Sequence, residues 1–293
     1  MINRRDFLKQ SAAATAGVIV GNAISRVIQG ASEDPRSLQD MSLAELARSI
    51  RPDFLIGAHL NPRQMTDDPE NRKPQSLIAR EYNLVSAGIY QKQIQRRSRD
   101  EWNFSGPDAI IDFAKRNRLA VYAHPMFGSD NYLPDWLRYG GYSDEVLLDI
   151  IEERIKTILT RYKGRIHIVD VYNEGFSRTA PGWRTPDNLF LSMGYRENEI
   201  GRWPVFLERI LIWCREYGGE DLKLIYNDNN NTLPDMPQTL ECIQLHAALK
   251  KADIPIDGIG IQCHTQIGQD DLHRLGGSRN SRNPAFHGDL FAQ

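Results

Sequence analysis

The sequence has few cysteines and almost no excess of charge of either sign, and both shortages exclude classes of protein. Its 293 residues include three cysteines, Cys214, Cys242 and Cys263, which lie far apart and form no Cys-x-x-Cys pair. A zinc ribbon and a disulfide framework are therefore excluded, and we expect the cysteines to be small buried residues. The net charge is −2 and no basic run is present, so no nucleic-acid partner is expected.

Several signatures of catalysis and cofactor binding are also missing. The chain has no Gly-x-Ser-x-Gly, no His-Glu-x-x-His, no P-loop and no glycine-rich dinucleotide fingerprint, which excludes the sites that those motifs build. A metal site formed by His124, Glu174 and His264 is conceivable, but no ligand pair at short spacing supports it. We expect neither a metal nor a cofactor.

The first 31 residues have the composition of an export signal. Arg4 and Arg5 precede Phe-Leu-Lys and an alanine-rich apolar stretch from about Ser11 to Ile24, which is too short for a membrane span. Paired arginines in this setting predict a twin-arginine signal, read by the machinery that exports folded proteins. We predict a signal over residues 1–31 and a periplasmic or extracellular protein; a frayed amphipathic helix is the alternative.

Six apolar runs of strand length follow the predicted signal. They show no clean polar alternation, which is typical of strands buried on both faces. The runs begin at Asp53, Tyr82, Leu119, Ile166, Leu222 and Ile256. Between them, apolar spacing and cap residues predict helices over 106–117, 143–164, 202–218 and 237–254. This alternation predicts a (β/α)₈ TIM barrel, of which residues 32–293 contain about six of the eight strands.

Polar side chains stand where these predicted strands end. In chain order they are His124, Asn173 with Glu174, Asn227 with Asp228, and Gln262 with His264. Because the carboxyl ends of parallel barrel strands converge on one mouth, we expect these side chains to meet there. Amides and imidazoles bind sugar hydroxyls, and a carboxyl group in a partly apolar mouth can keep a proton for a leaving oxygen.

Each of these residues, taken singly, also has a plainer interpretation. A strand-end histidine is often structural, and Asn227 with Asp228 would equally suit a helix cap or a turn. Glu174 and Lys92 alone would read as surface residues. The hypothesis of a sugar site therefore depends on the succession of strand ends.

In order along the chain, these motifs resemble glycoside hydrolase family 10, the retaining endo-β-1,4-xylanases. The most specific motif is "RIKTILTRYKGRIHIVDVYNEGF", which is similar to the family's helix, its turn and its fourth strand ending in Asn-Glu. "FLIGAHL", "VYAHPM", "LKLIYNDNN" and "IDGIGIQCH" are similar to other strands of the family. The resemblance implies retaining hydrolysis of xylan or a related β-1,4-linked plant polysaccharide, and we expect a monomer.

The resemblance also implies a role for each matching residue. Glu174 would be the general acid/base, and Asn173 would bind the sugar at the cleavage point. His124 and Lys92 would bind sugar, the lysine one subsite further out. Gln262 and His264 match the pair on the sixth strand, where the histidine supports the nucleophile.

The sequence departs from the family pattern at the sugar contacts. Gly88 and Ile89 stand where the family has Glu-Asn, and Gln93 stands where it has Trp. The family's Trp-His after the third-strand histidine is replaced by "MFGSDNY", residues 126–132. Lost hydrogen-bonding groups weaken discrimination between similar substrates, so these changes leave the identity of the polysaccharide open.

The second catalytic carboxylate has no match. A retaining glycosidase needs two carboxylates about 5 to 5.5 Å apart, and the family's nucleophile is a glutamate on the seventh strand. This chain has no glutamate after Glu241, and Asp270, Asp271 and Asp289 lie in no apolar run. We therefore expect an incomplete hydrolase that is inactive alone; the alternative is a non-catalytic carbohydrate-binding barrel.

Overall fold

The computed structural model describes most of the chain between residues 40 and 262. The described ranges are 40–177, 179–185, 188–231 and 236–262. Several predictions fall outside them: the export signal, Cys263, His264 and the tail aspartates Asp270, Asp271 and Asp289. No helix in the described ranges is long and apolar enough to cross a membrane.

The described part of the chain is built on one parallel sheet. In chain order its strands are β1 (Gly57–His59), β2 (Leu84–Gly88), β3 (Ala120–His124), β4 (Phe127–Gly128), β5 (Ile168–Asn173), β6 (Tyr195–Asn198), β7 (Gly201–Pro204), β8 (Lys223–Asp228) and β9 (Gly258–Ile261). The sheet order is β1-β2-β3-β5-β8-β9, the short β4 also pairs with β5, and β6 and β7 form a separate antiparallel hairpin. The six predicted strands are thus confirmed, each beside its neighbour in sequence, as in a partial (β/α)₈ barrel.

Helices cover one side of this sheet. They are α1 (Leu43–Ile50), α2 (Pro69–Glu81), α3 (Gln91–Ile94), α4 (Ser105–Asn117), α5 (Asp135–Arg138), α6 (Asp144–Arg161), α7 (Val205–Gly218) and α8 (Pro237–Lys251). Short 3₁₀ helices lie at Pro62–Gln64, Asp130–Tyr132 and Leu189–Met193. The four predicted helices correspond to α4, α6, α7 and α8.

Local sequence explains where these helices begin. The Ser143 hydroxyl accepts a hydrogen bond from the Val146 N–H and caps α6, as predicted. The prediction of a helix from residue 202 was wrong at its start, because Gly201–Pro204 pairs as β7 and α7 begins only after Pro204. The segment between β5 and α7 also contains the β6–β7 hairpin and the Leu189–Met193 helix.

The two faces of the sheet differ in burial. Along β2 and β3, Val85, Ala87, Val121 and Ala123 are fully buried and belong to the hydrophobic core, whereas the alternate residues are only partly buried. Since successive strand residues point to opposite faces, one face packs in the core and the other borders the barrel interior. Cys214 and Cys242 are buried as well, as predicted for these two cysteines.

Candidate active site

The ends of β5, β8 and β9 are joined by a network centred on the side-chain amide of Asn173. Its Oδ1 accepts hydrogen bonds from Asn227 Nδ2 and from Gln262 Nε2, both at 2.8 Å. Its Nδ2 donates to Tyr132 Oη at 2.6 Å. Asn173 is 1% exposed, so its orientation is fixed by three partners. The predicted convergence of Asn173, Asn227 and Gln262 is therefore confirmed.

His124, at the end of β3, joins the same network through Asp170. Its Nδ1 lies 2.7 Å from Asp170 Oδ2, which also accepts a hydrogen bond from Asn227 Nδ2 at 3.3 Å. Burial raises the pKa of Asp170 to about 6, although the hydrogen bonds from His124 and Asn227 oppose the shift. When ionised, the Asp170 carboxylate accepts a hydrogen bond from Nδ1 and so orients the imidazole ring.

A bulge in β5 makes this arrangement possible. The pairing between β5 and β8 shifts register between Asp170 and Tyr172. Residues three apart in a regular strand point to opposite faces, yet both Asp170 and Asn173 contact Asn227. The extra residue of the bulge brings both side chains to the same face.

Sequence reasoning missed Asp170 as a site residue. It sits between Val169 and Val171 in an apolar run, and it is fully buried. The available signal was the cost of a carboxylate inside a buried strand, which requires paired partners. That signal could have drawn attention to the residue, but the partners become visible only in the fold.

Glu174 stands where the chain leaves β5. Its φ is +59°, a left-handed conformation that is uncommon for residues other than glycine and that clusters at functional sites. Its N–H donates to Asn227 O at 2.9 Å. Its carboxylate lies 3.9 Å from Arg184 Nη2, and the two side chains are about 15% exposed. The predicted acid/base residue is thus held beside the network, with limited access to solvent.

Asp228 has a structural position behind Glu174. Its carboxylate accepts hydrogen bonds from Tyr226 Oη at 2.6 Å, from Phe176 N at 3.0 Å and from Asn229 N at 2.8 Å. Burial raises its pKa, while these three donors oppose the shift. The carboxylate therefore anchors the segment that follows Glu174.

Two tyrosines form an aromatic wall beside His124. The Tyr90 ring stacks on Tyr132 with centroids 5.8 Å apart, and it meets the His124 ring edge-on at 5.7 Å. Both tyrosines were missed, and both lie at departures from the family pattern, Tyr90 directly after Gly88-Ile89 and Tyr132 at the end of residues 126–132. Aromatic faces next to hydrogen-bonding groups suit a ligand with apolar and polar sides, such as a sugar.

Two predicted site residues are not part of this network. Lys92 is exposed on α3, and no contact joins it to the network among the described side chains. His264 lies outside the described residues. Within the described ranges, no group of three or more His, Cys, Asp or Glu side chains is placed to hold a metal ion.

Comparison with known proteins identifies relatives of this chain by sequence. The chain is 32% identical over 227 residues to endo-1,4-beta-xylanase B of Thermotoga neapolitana, covering 77% of this chain and 61% of that protein. It is 34% identical over 236 residues to beta-1,4-xylanase of Dictyoglomus thermophilum, covering 79% and 59%. The chain thus spans about three fifths of the length of these relatives.

A solved structure shares the fold. The crystal structure of xylanase 10B from Thermotoga petrophila RKU-1 in complex with xylobiose superposes with a TM-score of 0.66 at 26% identity, over 82% of this chain and 69% of that one. The sequence profile described as Glycosyl hydrolase family 10 matches residues 45–279. This span includes every strand end that contributes to the network, and the chain belongs to glycosyl hydrolase family 10.

Proposed function

We propose that this chain is an endo-β-1,4-xylanase-like hydrolase that acts on xylan or a related β-1,4-linked plant polysaccharide. The single observation that carries the proposal is Glu174, held at a strand end beside the Asn173 amide and its partners. The relatives named as xylanases support the same class of substrate. Because the chain spans only part of their length, the activity is a proposal for this chain.

In the proposed mechanism, Glu174 protonates the glycosidic oxygen as the bond to the leaving sugar breaks. A second carboxylate attacks the anomeric carbon, and Glu174 then takes a proton from the water that releases the glycosyl group, with retention of configuration. Asn173 and the Nε2 atom of His124 bind hydroxyls of the sugar at the cleavage point. Lys92 binds sugar one subsite further out, and Gln262 fixes Asn173 from β9.

We assign the second carboxylate to no described residue. Asp170 and Asp228 are fully buried, and each carboxylate is engaged in hydrogen bonds with neighbouring strands or loops. Neither is therefore a suitable nucleophile. The second candidate function is a carbohydrate-binding barrel without hydrolysis, in which the same network binds the glycan. In the hydrolase, His264 would support the nucleophile.

One experiment separates these functions. The full chain is incubated with xylohexaose, and calorimetry measures binding while NMR follows the anomeric configuration of any product. Binding with a retained β-anomer supports the hydrolase, and binding without product supports the carbohydrate-binding barrel. An inverted product contradicts the retaining mechanism, and the absence of both binding and product contradicts both functions.

We also propose that residues 1–31 direct export through the twin-arginine machinery, so that a monomer acts in the periplasm or outside the cell. The paired Arg4 and Arg5 before a short apolar stretch support this proposal. A reporter fused to residues 1–40 should be exported, and replacing both arginines with lysine should leave it in the cytoplasm. Equal export of the two fusions would contradict the proposal, and light scattering of the mature protein tests the monomer.

A further inference from the structure

Arg154 is a buried cation with neutral partners. It lies on α6, is 0% exposed, and donates from Nε to Met126 O at 3.1 Å, from Nη1 to Gln95 Oε1 at 3.1 Å and from Nη2 to Ile89 O. No acidic side chain forms an ion pair with it among the described residues. Burial lowers its pKa to about 9, which leaves it protonated at neutral pH. A buried charge without a counter-charge is costly, so the burial of Arg154 calls for a functional reason.

The two backbone acceptors of Arg154 lead directly to the candidate site. Ile89, whose carbonyl accepts from Arg154, donates its own N–H to His124 O at 3.0 Å. Met126, whose carbonyl also accepts from Arg154, donates its N–H to Asp170 O at 2.7 Å. One guanidinium group thus fixes the two residues that hold the backbone of the His124–Asp170 pair.

We propose that Arg154 is a positioning residue for the His124–Asp170 pair, acting through Ile89 and Met126. Its planar fork of donors holds the ends of β2 and of the β3–β4 segment at a fixed separation. This separation sets the 2.7 Å contact between His124 Nδ1 and Asp170 Oδ2, and with it the tautomer that presents Nε2 to a ligand. The ligand in question is the glycan, so the consequence for affinity rests on the proposed function.

The chain offers a matched control in Arg215 on α7. Its Nη1 donates to Gly219 O at 2.7 Å and to Leu222 O at 2.8 Å, and its Nη2 donates to Asp257 Oδ2 at 2.7 Å. It therefore resembles Arg154 in binding backbone carbonyls. However, it does so at the amino end of β8, the opposite end of the sheet from the candidate site.

The test compares Arg154→Met and Arg154→Lys with Arg215→Met and Arg215→Lys in the full chain. Imidazole nitrogen NMR reports the tautomer of His124, and the signals of this residue are identified by their loss in the His124→Gln variant. Calorimetry reports the affinity for xylotetraose. We expect wild-type His124 to carry its proton on Nδ1, and Arg154→Met to give a mixture of tautomers. Xylotetraose affinity should fall about tenfold, the equivalent of one well-placed hydrogen bond.

Arg154→Lys should give a smaller change in the same direction, because an ammonium group cannot reach all three acceptors at once. The Arg215 variants should lower the melting temperature without changing the His124 signals. A wild-type tautomer in folded Arg154→Met overturns the proposal, and if that variant does not fold, a wild-type tautomer and affinity in Arg154→Lys overturns it. The imidazole readout needs no glycan, so a failure of xylotetraose binding would contradict the proposed function and leave the test of Arg154 intact.

Discussion

The two ends of the same sheet use buried polar side chains in different ways. At the carboxyl ends, Asn173 and Asn227 bind each other across β5 and β8, and Asp170 binds His124. At the amino ends, polar side chains bind the backbone. Asn83 accepts from the Ile56 N–H at 2.8 Å and donates to the Phe54 carbonyl at 3.0 Å, both in the segment before β1.

The difference indicates that the polar side chains at the two ends of the sheet have different roles. At the amino ends, the donors and acceptors of Asn83, Arg215 and Asp257 pair with neighbouring chain segments, which adds stability. At the carboxyl ends, the side chains of different strands pair with one another: Asn173 binds Asn227 and Gln262, and Asp170 binds His124. Side chains that pair with each other at this end form a polar cluster between strands, in line with the general position of active sites in parallel barrels.

The largest effect should come from Glu174→Gln. Glutamine keeps the shape of the side chain but cannot deliver a proton, and acid/base assistance contributes about 10²–10⁴-fold in rate. In a form of the protein completed by the seventh and eighth strands of a close relative, we expect a loss of this size in the hydrolysis of xylan. The loss should be smaller on an aryl xyloside, whose leaving group needs little protonation. Steady-state kinetics on both substrates measures the difference, and azide should partly restore turnover of the aryl xyloside.

The control for Glu174 is Glu81→Gln at the amino end of the sheet. Glu81 is buried and accepts a hydrogen bond from the Leu43 N–H at 3.1 Å. Its replacement should change the melting temperature and leave the ratio of rates on the two substrates as in the wild type. Equal losses on both substrates in Glu174→Gln would remove Glu174 from the acid/base role.

Two buried asparagines offer the next comparison. Asn173→Ala leaves the donors of Asn227 and Gln262 without their acceptor, and each unpaired buried group costs about 1–3 kcal/mol. Asn83→Ala breaks a similar number of hydrogen bonds at the other end. Urea unfolding should show a loss of about 2–4 kcal/mol in both variants, whereas xylotetraose binding should disappear only in Asn173→Ala. Wild-type affinity in that variant would refute the role of the network.

Substitution of either of two glycines in β9 should have a smaller effect on stability and binding. A Cβ at Gly260 would lie 2.3 Å from Asn227 Oδ1, whereas a Cβ at Gly258 would lie 3.1 Å from the end of the Ile225 side chain. Gly260→Ala should displace Asn227, with a loss of about 1–3 kcal/mol in stability and weaker xylotetraose binding. Gly258→Ala should be milder in both respects, because an isoleucine terminus can move. Identical affinities in the two variants would show that the position of Asn227 does not matter.

The smallest effect concerns the pH dependence of stability. Because burial raises the pKa of Asp170 from 3.8 to about 6, the folded protein binds more protons than the unfolded chain between these values. The free energy of unfolding should therefore fall as pH rises through this window. Asp170→Asn removes the titrating group and should reduce this fall by up to about 1.4 kcal/mol per pH unit. Chemical unfolding at several pH values measures the slope, and an unchanged slope would contradict the assignment.

Much of the sheet could be predicted from the sequence because each strand is a continuous apolar run. The predicted runs exceed the observed strands at their ends; the first was expected from Asp53, whereas β1 comprises only Gly57–His59. Helix α2 was missed because its sequence, "PENRKPQSLIARE", is largely polar and contains a proline inside. Hydrophobic periodicity does not detect such a helix.

The candidate site was predictable where a polar residue marks a strand end, as with His124, Asn173 and Gln262. It was not predictable where tertiary structure decides the contact. The bulge that turns Asp170 toward Asn227 leaves no mark in the sequence, and Arg154 reads as one more charged residue of an amphipathic helix although it is fully buried. Their partners lie in other elements, beyond the reach of local patterns.

The most direct test of the account is a titration of the full chain with xylotetraose, followed through its side-chain amide signals by nitrogen-15 NMR. The account predicts that the amide signals of Asn173, Asn227 and Gln262 shift together with one affinity, while the signal of Asn83 at the opposite end stays in place. Shifts at Asn83 with unchanged signals from the other three amides would contradict the claim that the carboxyl ends of the strands form the glycan site.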